Sequence, residues 1–223
     1  MNKTKIDYAD YTWNPVWGCR NTCEYCYARA TAKRWGASFE PNWREKNFNR
    51  PMPKKPSIIF VNSMSDICWW ENEWLIKVFD RIDTAEAYKH IFLFLTKKPE
   101  IYTTPQWLVA PDNVWRGFTA TNDEEMIERQ AQMYGHYRVW CSAEPLLGPI
   151  ESVDTKLVKW LVVGAMTGPG AVEPRREWIN SIMGFQGRLF LKRNLPAWAL
   201  EYGGIDKYPQ EMLKHLGRLE HDG

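Results

Sequence analysis

The stretch WGCRNTCEYCYARA, residues 17–30, contains three of the chain's five cysteines. Cys19, Cys23 and Cys26 are separated by three and then two residues, and no fourth cysteine follows nearby. A structural zinc site usually has four protein ligands, and a disulfide framework needs an even number of cysteines. Three closely spaced cysteines therefore indicate a bound group that keeps one position open for another ligand.

Two kinds of metal group are compatible with this spacing. One is a zinc ion with an open coordination position, although the nearest histidine, His90, is far along the chain. The other is a 4Fe-4S cluster, in which three thiolates bind three irons and leave the fourth iron free. Tyr25 would place an aromatic ring beside such a cluster. A non-enzymatic module that holds zinc or a cluster also stays open at this point.

The composition predicts one domain with a sizeable core. The chain has 223 residues, of which 44% are apolar, and its net charge is only +2. Contact with nucleic acid would therefore need a local basic patch. The sequence shows no apolar run of membrane-spanning length and no signal-peptide core near its first residue. We expect a cytoplasmic monomer with one domain over residues 1–200, an insertion at 36–56 and a C-terminal tail at 201–223.

Apolar, strand-like runs recur along the chain and alternate with helical patterns. The predicted strands cover 57–62, 90–96, 113–119, 137–142, 159–165 and 187–192, with one more within 5–17, and the predicted helices cover 71–88, 122–135 and 174–184. Such alternation is typical of βαβ units and a parallel sheet. Six or seven units are fewer than an eightfold barrel needs. The expected fold is therefore α/β, a partial (βα)6-type TIM barrel.

Small and polar residues follow the predicted strands directly. These runs are Asn62–Asp66, Thr96–Lys98, Thr119–Asn122, Ser142–Pro145, Gly164–Gly168 and Lys192–Asn194. Parallel strands place their carboxyl ends on one face, which holds the active site in barrels. A single residue such as Thr121, Asn122 or Asp66 is equally suited to capping a helix. Glu144 stands out, because it follows an apolar strand and has no basic residue within three positions.

Several blocks of the sequence resemble the radical S-adenosylmethionine (SAM) superfamily, and within it a compact, phage-associated family. The blocks are TWNPVWGCRNTCEYCYA, IFVNSMSD, LFLTKKPE, NVWRGFTATN, CSAEPLLGPI and WLVVGAMTGPGA. The resemblance runs from about residue 5 to 194. It implies a radical SAM core with a 4Fe-4S cluster and S-adenosyl-L-methionine as cofactors. The ending FLKRN departs from the family pattern, which leaves the role of the last strand less defined.

The resemblance also implies the chemistry and the residues that carry it. In these enzymes the reduced cluster cleaves SAM to methionine and a 5′-deoxyadenosyl radical, which abstracts hydrogen from the substrate. Cys19, Cys23 and Cys26 match the cluster ligands. The positions implied for SAM are Ser63, Met64, Ser65 and Asp66 for its amino group, Thr119, Thr121 and Asn122 for the ribose, Ser142 and Glu144 for the carboxylate or the substrate, and Gly164 to Met166 for adenine.

Eight basic side chains and several aromatic ones lie within residues 29–55. Basic groups that follow phosphates, together with rings on which bases stack, are typical of nucleic-acid binding, although a solvated, partly packed insertion is also compatible. The phage-associated resemblance favours a modified thymidine in DNA as the substrate. We therefore expect isomerisation of glycyl-thymidine from nitrogen to carbon linkage, with Lys97, Glu144 and Lys192 holding the amino-acid group. A DNA-lesion repair lyase is the alternative, and either enzyme would need an electron donor such as flavodoxin or ferredoxin.

Overall fold

The computed structural model of the chain describes residues 1–168, 170–202 and 207–218. The strands in this part are β1 (Asn2–Lys3), β2 (Tyr11–Thr12), β3 (Val16–Trp17), β4 (Asn42–Trp43), β5 (Ile58–Phe60), β6 (Ile91–Thr96), β7 (Val114–Thr119), β8 (Val139–Ala143), β9 (Val158–Val163) and β10 (Arg188–Leu191). The α-helices are α1 (Tyr27–Arg34), α2 (Glu45–Phe48), α3 (Asn72–Ile82), α4 (Ala85–Tyr88), α5 (Pro105–Leu108), α6 (Asp123–Ala131), α7 (Arg176–Ile182), α8 (Ala197–Leu200) and α9 (Gln210–His215). Short 3₁₀ helices cover Ile67–Trp69 and Pro99–Thr103.

Eight strands form one sheet in the order β1-β2-β5-β6-β7-β8-β9-β10. Neighbouring strands from β2 to β10 run parallel, while β1 pairs antiparallel with β2 at one edge. Within this sheet, strands that follow one another along the chain are also neighbours in space, as in a barrel. The sheet has two ends, β1 and β10, and does not close within the described residues. This confirms the expected α/β fold with an incomplete, parallel barrel.

The concave side of the sheet is filled by aromatic rings. The ring of Tyr8, buried in this interior, lies 6.2 Å from that of Phe60, 5.8 Å from that of Trp160 and 6.0 Å from that of Phe190. Phe60 belongs to β5 and Phe190 to β10, which are separated by four strands of the sheet. One ring reaches both strands because the sheet is strongly curved. The interior is therefore a packed core and not a pore.

The convex side of the sheet is covered by helices. Along β6, Phe92 and Phe94 belong to this outer core, whereas Ile91 and Leu93 belong to the inner one, as the period of two along a strand requires. Helix α3 buries Val78, Phe79 and Ile82, among other residues, against the outer face. These strands read as continuous apolar runs because both of their faces are covered.

Two predicted elements differ from those observed. The pattern over 71–88 forms two helices, because Thr84 leaves the helical conformation and its hydroxyl accepts a hydrogen bond from the Ala87 N–H at 3.3 Å. The strand expected within 5–17 is divided as well. Its β2 part joins the main sheet, while β3 pairs with β4 in a separate two-stranded sheet.

The insertion and the tail both pack on the barrel. The Arg81 guanidinium of α3 donates to the carbonyls of Phe48 and Arg50 and so fixes residues 45–50. In the tail, α9 buries Met212, and Leu216 follows it into the inner aromatic cluster. None of the described helices combines the length and the apolar character needed to cross a membrane.

Candidate active site

An open cavity of about 300 Å³ lies at the carboxyl ends of the parallel strands. Most of the residues that the sequence suggested for a site line it. They are Cys19, Cys23, Tyr25, Cys26, Ser63, Met64, Ser65, Asp66, Lys97, Thr119, Ser142, Glu144, Met166 and Lys192. Thr121, Asn122 and Gly164 do not line it. The cavity joins the cysteine loop to the ends of five strands, β5 to β8 and β10, and to the loop after β9.

The cysteine loop is held by backbone hydrogen bonds to sulfur. The Asn21 N–H donates to Cys19 Sγ at 3.3 Å, and the Arg29 N–H donates to Cys26 Sγ at 3.4 Å. Cys26 is also the N-cap of α1, so the positive end of the helix faces its sulfur. Burial raises the pKa of the Cys19 thiol to about 12. A bound metal would overcome this effect, because a coordinating thiol is deprotonated outright.

Arg29 and Gly18 shape the loop. One guanidinium nitrogen of Arg29 donates to the Cys19 carbonyl at 2.9 Å and to the Asn21 carbonyl at 2.7 Å. Gly18 has a φ of +103°, and a Cβ added there would lie 2.2 Å from the Glu40 carbonyl oxygen. Only glycine fits this position. Arg29, which the sequence grouped with the basic surface residues, instead supports the loop.

The three thiols fit a cluster better than a single metal ion. Within the described ranges, no three His, Cys, Asp or Glu side chains are close enough to share one ion. A zinc site needs sulfur atoms about 2.3 Å from one point. A 4Fe-4S cluster is larger and binds each thiolate at a different iron. Thiols that line a common cavity without converging, and that accept N–H bonds, are therefore compatible with such a cluster.

Asp66 ties the cysteine loop to two strand ends. One carboxylate oxygen accepts from Asn21 Nδ2 at 2.8 Å and from the Lys97 N–H at 3.0 Å. The other accepts from the Thr96 hydroxyl at 2.5 Å and from the Cys68 N–H at 3.2 Å. Asp66 is only 6% exposed. Its four bonds indicate that it orders the site.

The segment after β5 is fixed by residues that precede α1 and by the first residue of that helix. Asn14 Oδ1 accepts from the Ser63 hydroxyl at 3.1 Å and from the Met64 N–H at 3.0 Å. The Gly18 N–H donates to the Met64 carbonyl at 3.0 Å, and the Tyr27 hydroxyl donates to the Ser63 carbonyl. The backbone of Ser63, Met64 and Ser65 is thus held beside the cysteine loop.

Glu144 and Lys192 form an ion pair at the cavity wall. The Lys192 ammonium contacts one carboxylate oxygen, and the Ser142 hydroxyl donates to the other at 3.1 Å. Both charged side chains are largely buried, with 18% and 17% exposure. Tyr8 lies below them, and burial, followed by the charge of Glu144, raises the pKa of Tyr8 well above its usual value. Gly164 leaves room for the pair, since a Cβ there would be 3.0 Å from Lys192 Cδ.

Lys97 lines the cavity beside the cysteine loop. Its ammonium donates to the Tyr25 hydroxyl at 2.9 Å. Burial raises the pKa of the Cys23 thiol, and the charge of Lys97 partly opposes this effect. Lys97 therefore adds positive charge close to the cysteines.

Thr121 and Asn122 are used by helix α6. The Thr121 backbone N–H and hydroxyl both donate to the Glu125 carboxylate, at 2.7 and 2.9 Å. Asn122 Oδ1 accepts from the Glu125 N–H at 2.9 Å and caps the helix. Of the three residues expected near a ribose, only Thr119 lines the cavity.

Sequence reasoning missed several residues of the site. Tyr8, Asn21 and Tyr27 line the cavity, and Asn14 orders the segment after β5. Asn194, which the sequence placed in the polar run after the last strand but not among the site residues, also lines the cavity and forms two hydrogen bonds with the Ala165 backbone, 3.3 and 2.9 Å long. A signal was present for Asn21 and Tyr27, because both lie within or next to the cysteine motif. Nothing local in the sequence marked Tyr8, whose place depends on the curvature of the sheet.

Solved structures of spore photoproduct lyase share this fold. A cysteine-to-serine variant aligns with a TM-score of 0.54 and 15% sequence identity over 85% of this chain and 78% of that chain. A tyrosine-to-phenylalanine variant aligns with the same TM-score and coverage at 14% identity. At this identity the similarity establishes a shared fold. No curated protein sequence matches the chain.

A family model covers most of the sequence. It matches residues 3–188, which include the cysteine loop, all strands from β2 to β9 and the first residue of β10. The matched region therefore contains the cavity apart from its last wall at Lys192 and Asn194. The chain belongs to the family described as "Protein of unknown function (DUF5131)".

Proposed function

We propose that the chain is a radical SAM enzyme that acts on a modified nucleobase. The observation that carries this proposal is the position of the three thiols. They line one cavity together with the polar ends of the parallel strands, in a fold shared with spore photoproduct lyase. A 4Fe-4S cluster with three cysteine ligands leaves one iron open, and it needs a pocket beside it for the group that binds this iron.

Cys19, Cys23 and Cys26 would hold a 4Fe-4S cluster, and the strand ends would hold S-adenosyl-L-methionine. Bound together, these groups would supply radical chemistry that abstracts hydrogen from a substrate. The backbone of Ser63 to Ser65, fixed by Asn14 and Tyr27, is the candidate contact for the SAM amino group. Thr119 is the candidate for the ribose, and the backbone from Gly164 to Met166 for adenine. Thr121 and Asn122 contribute by fixing α6.

The charged walls of the cavity would bind the substrate's amino-acid group. Glu144 and Lys192 present opposite charges side by side, so a group with an ammonium and a carboxylate can exchange partners with them. Lys97 adds a cation beside the cysteine loop. The low exposure of the pair strengthens these contacts, because water screens them little.

The substrate we favour is glycyl-thymidine in DNA, isomerised from nitrogen to carbon linkage. Two features support this choice: the basic residues at 29–55 and the resemblance of the sequence blocks to a compact, phage-associated family. A base in duplex DNA would have to leave the stack to enter the cavity. The electron would come from a donor such as flavodoxin or ferredoxin.

A DNA-lesion repair lyase is the second candidate. The observation that favours it is the shared fold with spore photoproduct lyase, at a TM-score of 0.54. This candidate would use the same cysteines and the same SAM contacts. It differs from the first in the substrate and in the bond that is broken.

The first test concerns the cofactors. After anaerobic reconstitution with iron and sulfide, we expect about four irons per chain, a spectral change on adding SAM, and 5′-deoxyadenosine once dithionite is added. Replacing any one of Cys19, Cys23 and Cys26 by Ala should abolish these signals. Cys68→Ala is the matched control and should keep them. A protein that binds zinc and is indifferent to SAM would overturn the proposal.

The second test concerns the substrate. The reconstituted enzyme is incubated with DNA that contains glycyl-thymidine, or with DNA that contains spore photoproduct. A rearranged nucleoside from the first DNA supports the isomerase, and restored thymidines from the second support the lyase. Formation of 5′-deoxyadenosine with neither product would refute both substrates and leave the radical SAM assignment intact.

A further inference from the structure

A second cavity of about 340 Å³ lies beside the first and has no role in the proposed chemistry. The two cavities share Ile6, Tyr27, Ser63 and Met64 as lining residues. The hydrogen bond from the Tyr27 hydroxyl to the Ser63 carbonyl lies in this common wall. A ligand in the second cavity would therefore lie next to whatever occupies the first. The volume is within the range of small-molecule sites.

The second cavity has donors and positive charge but no acidic wall. Arg50 lines it, and none of the described lining residues is Asp or Glu. Trp17 also lines it, as do the hydroxyl-bearing side chains of Thr4 and Thr12, and a hydroxyl can donate a hydrogen bond. These groups suit a ligand that is rich in acceptor oxygens and negatively charged.

An exposed aromatic ring extends this site to the surface. Trp35 is 66% exposed, and its ring stacks on that of Trp17 at 5.9 Å with an interplanar angle of 21°. The Arg44 guanidinium lies 5.8 Å from the Trp17 ring centre. The other rings of the basic segment are occupied: Phe39 is buried, and Trp43 packs against Phe48. Trp35 is therefore the ring of this segment that is available for stacking.

We propose that the second cavity binds the phosphate of the nucleotide next to the target base, and that Trp35 stacks on that nucleotide's base. Arg50 would contact the phosphate oxygens, since a guanidinium favours them. Base stacking on an exposed indole does not depend on sequence. This inference rests on the proposed function, because it takes the substrate to be part of a nucleic-acid strand.

The test compares binding of a trinucleotide with binding of a mononucleotide. Fluorescence titration of the reconstituted chain, with SAM and without reductant, gives Kd values for d(TTT) and for thymidine monophosphate. We expect d(TTT) to bind at least about tenfold more tightly, because it alone can fill both cavities and stack on Trp35. Equal affinities would overturn the inference. Inorganic phosphate is the third probe, and competition by phosphate at low millimolar concentration would show a free-anion site instead.

Variants identify the contacts. Trp35→Ala should weaken d(TTT) binding by about 5- to 100-fold, the usual effect of losing one base-stacking contact. Arg50→Gln should weaken d(TTT) binding as well and lower the salt dependence by about one unit of slope. Neither variant should change binding of thymidine monophosphate, which would occupy the first cavity.

Lys55→Gln is the matched control, because Lys55 is an exposed cation of the same segment that does not line the cavity. It should leave the preference for d(TTT) unchanged. An equal loss in Arg50→Gln and Lys55→Gln would reduce the effect to bulk charge and overturn the inference. Formation of 5′-deoxyadenosine on adding dithionite is measured in parallel and tests the proposed function itself. A failure of this reaction would not explain a lost preference for d(TTT), so the two failures can be told apart.

Discussion

At the scale of single residues, Asp66 is the side chain on which the order of the site depends. Its two oxygens accept two hydrogen bonds each, from the cysteine loop, from the turn after β5 and from the end of β6. An ionised carboxylate is suited to this position, because it accepts bonds at both oxygens and donates none. An amide of the same shape can accept at one oxygen only.

We therefore predict that Asp66→Asn loosens the cysteine loop. In this variant the side-chain NH₂ must face two hydrogen-bond donors that the carboxylate oxygen accepted. The free energy of unfolding should therefore fall by about 1–3 kcal/mol. Urea unfolding gives this number, and iron content after reconstitution should fall with it. Asp83→Asn, at an exposed helix end, is the control. Wild-type stability and iron content in Asp66→Asn would contradict the assigned role.

His90 gives the molecule a predictable pH dependence. Burial lowers the pKa of His90 to about 4, whereas an unfolded histidine has a pKa near 6.5. Between these values the unfolded chain binds a proton that the folded chain does not. The free energy of unfolding should therefore be fully retained above pH ~6.5 and fall, by at most about 3 kcal/mol, towards pH ~4.

Urea unfolding at pH 7, 6 and 5 checks this expectation. In His90→Gln the fall should be smaller, because a group that titrates differently in the two states has been removed. An identical slope in His90→Gln and the wild type would show that other groups cause the acid sensitivity.

The sequence groups Cys19, Cys23 and Cys26 by their spacing alone, and the structure brings these three thiols to one cavity. The sequence is less informative about polar residues after strands, since capping and ligand binding use the same residue types. Thr121 and Asn122 turned out to fix α6, while Thr119, two residues earlier, faces the cavity. Tyr8 was missed because its neighbours come from strands far along the chain.

At the scale of elements, the apolar runs predict the strands because both faces of each strand are buried. The spacing of the apolar residues predicts helix α3 but not its end at Ile82. The same spacing continues through Thr84 and over Ala85 to Tyr88. The C-terminal tail shows few core signals in its sequence. Helix α9 is nevertheless buried against the inner aromatic cluster through Met212 and the following Leu216.

Met212→Ala tests the contribution of α9. Met212 is fully buried, so truncation should lower the free energy of unfolding by about 2–5 kcal/mol. Glu211→Ala, on the exposed side of the same helix, should change it by less than about 0.5 kcal/mol. Equal effects of the two substitutions in urea unfolding would mean that α9 does not stabilise the barrel.

At the scale of the whole molecule, the curvature of the sheet brings strands that are far apart in the sequence into contact with the ring of Tyr8. Tyr8 contacts rings from β5, β8, β9 and β10, and its hydroxyl lies under the Glu144–Lys192 pair. The inner core and the floor of the cavity therefore share this residue. Removing the ring should affect folding of the whole barrel, whereas removing only the hydroxyl should affect the ion pair above it.

Tyr8→Ala and Tyr8→Phe separate these two roles. The alanine variant leaves a void among large rings and should lose about 3–5 kcal/mol of the free energy of unfolding, measured with urea by circular dichroism and by tryptophan fluorescence. Both probes should give the same midpoint, because the ring joins the ends of the sheet. The phenylalanine variant keeps the packing and should lose about 1 kcal/mol, but its affinity for the substrate's amino-acid group should fall, since the hydroxyl that supports Glu144 is gone. A phenylalanine variant as unstable as the alanine variant would show that the hydroxyl, and not the ring, holds the barrel together.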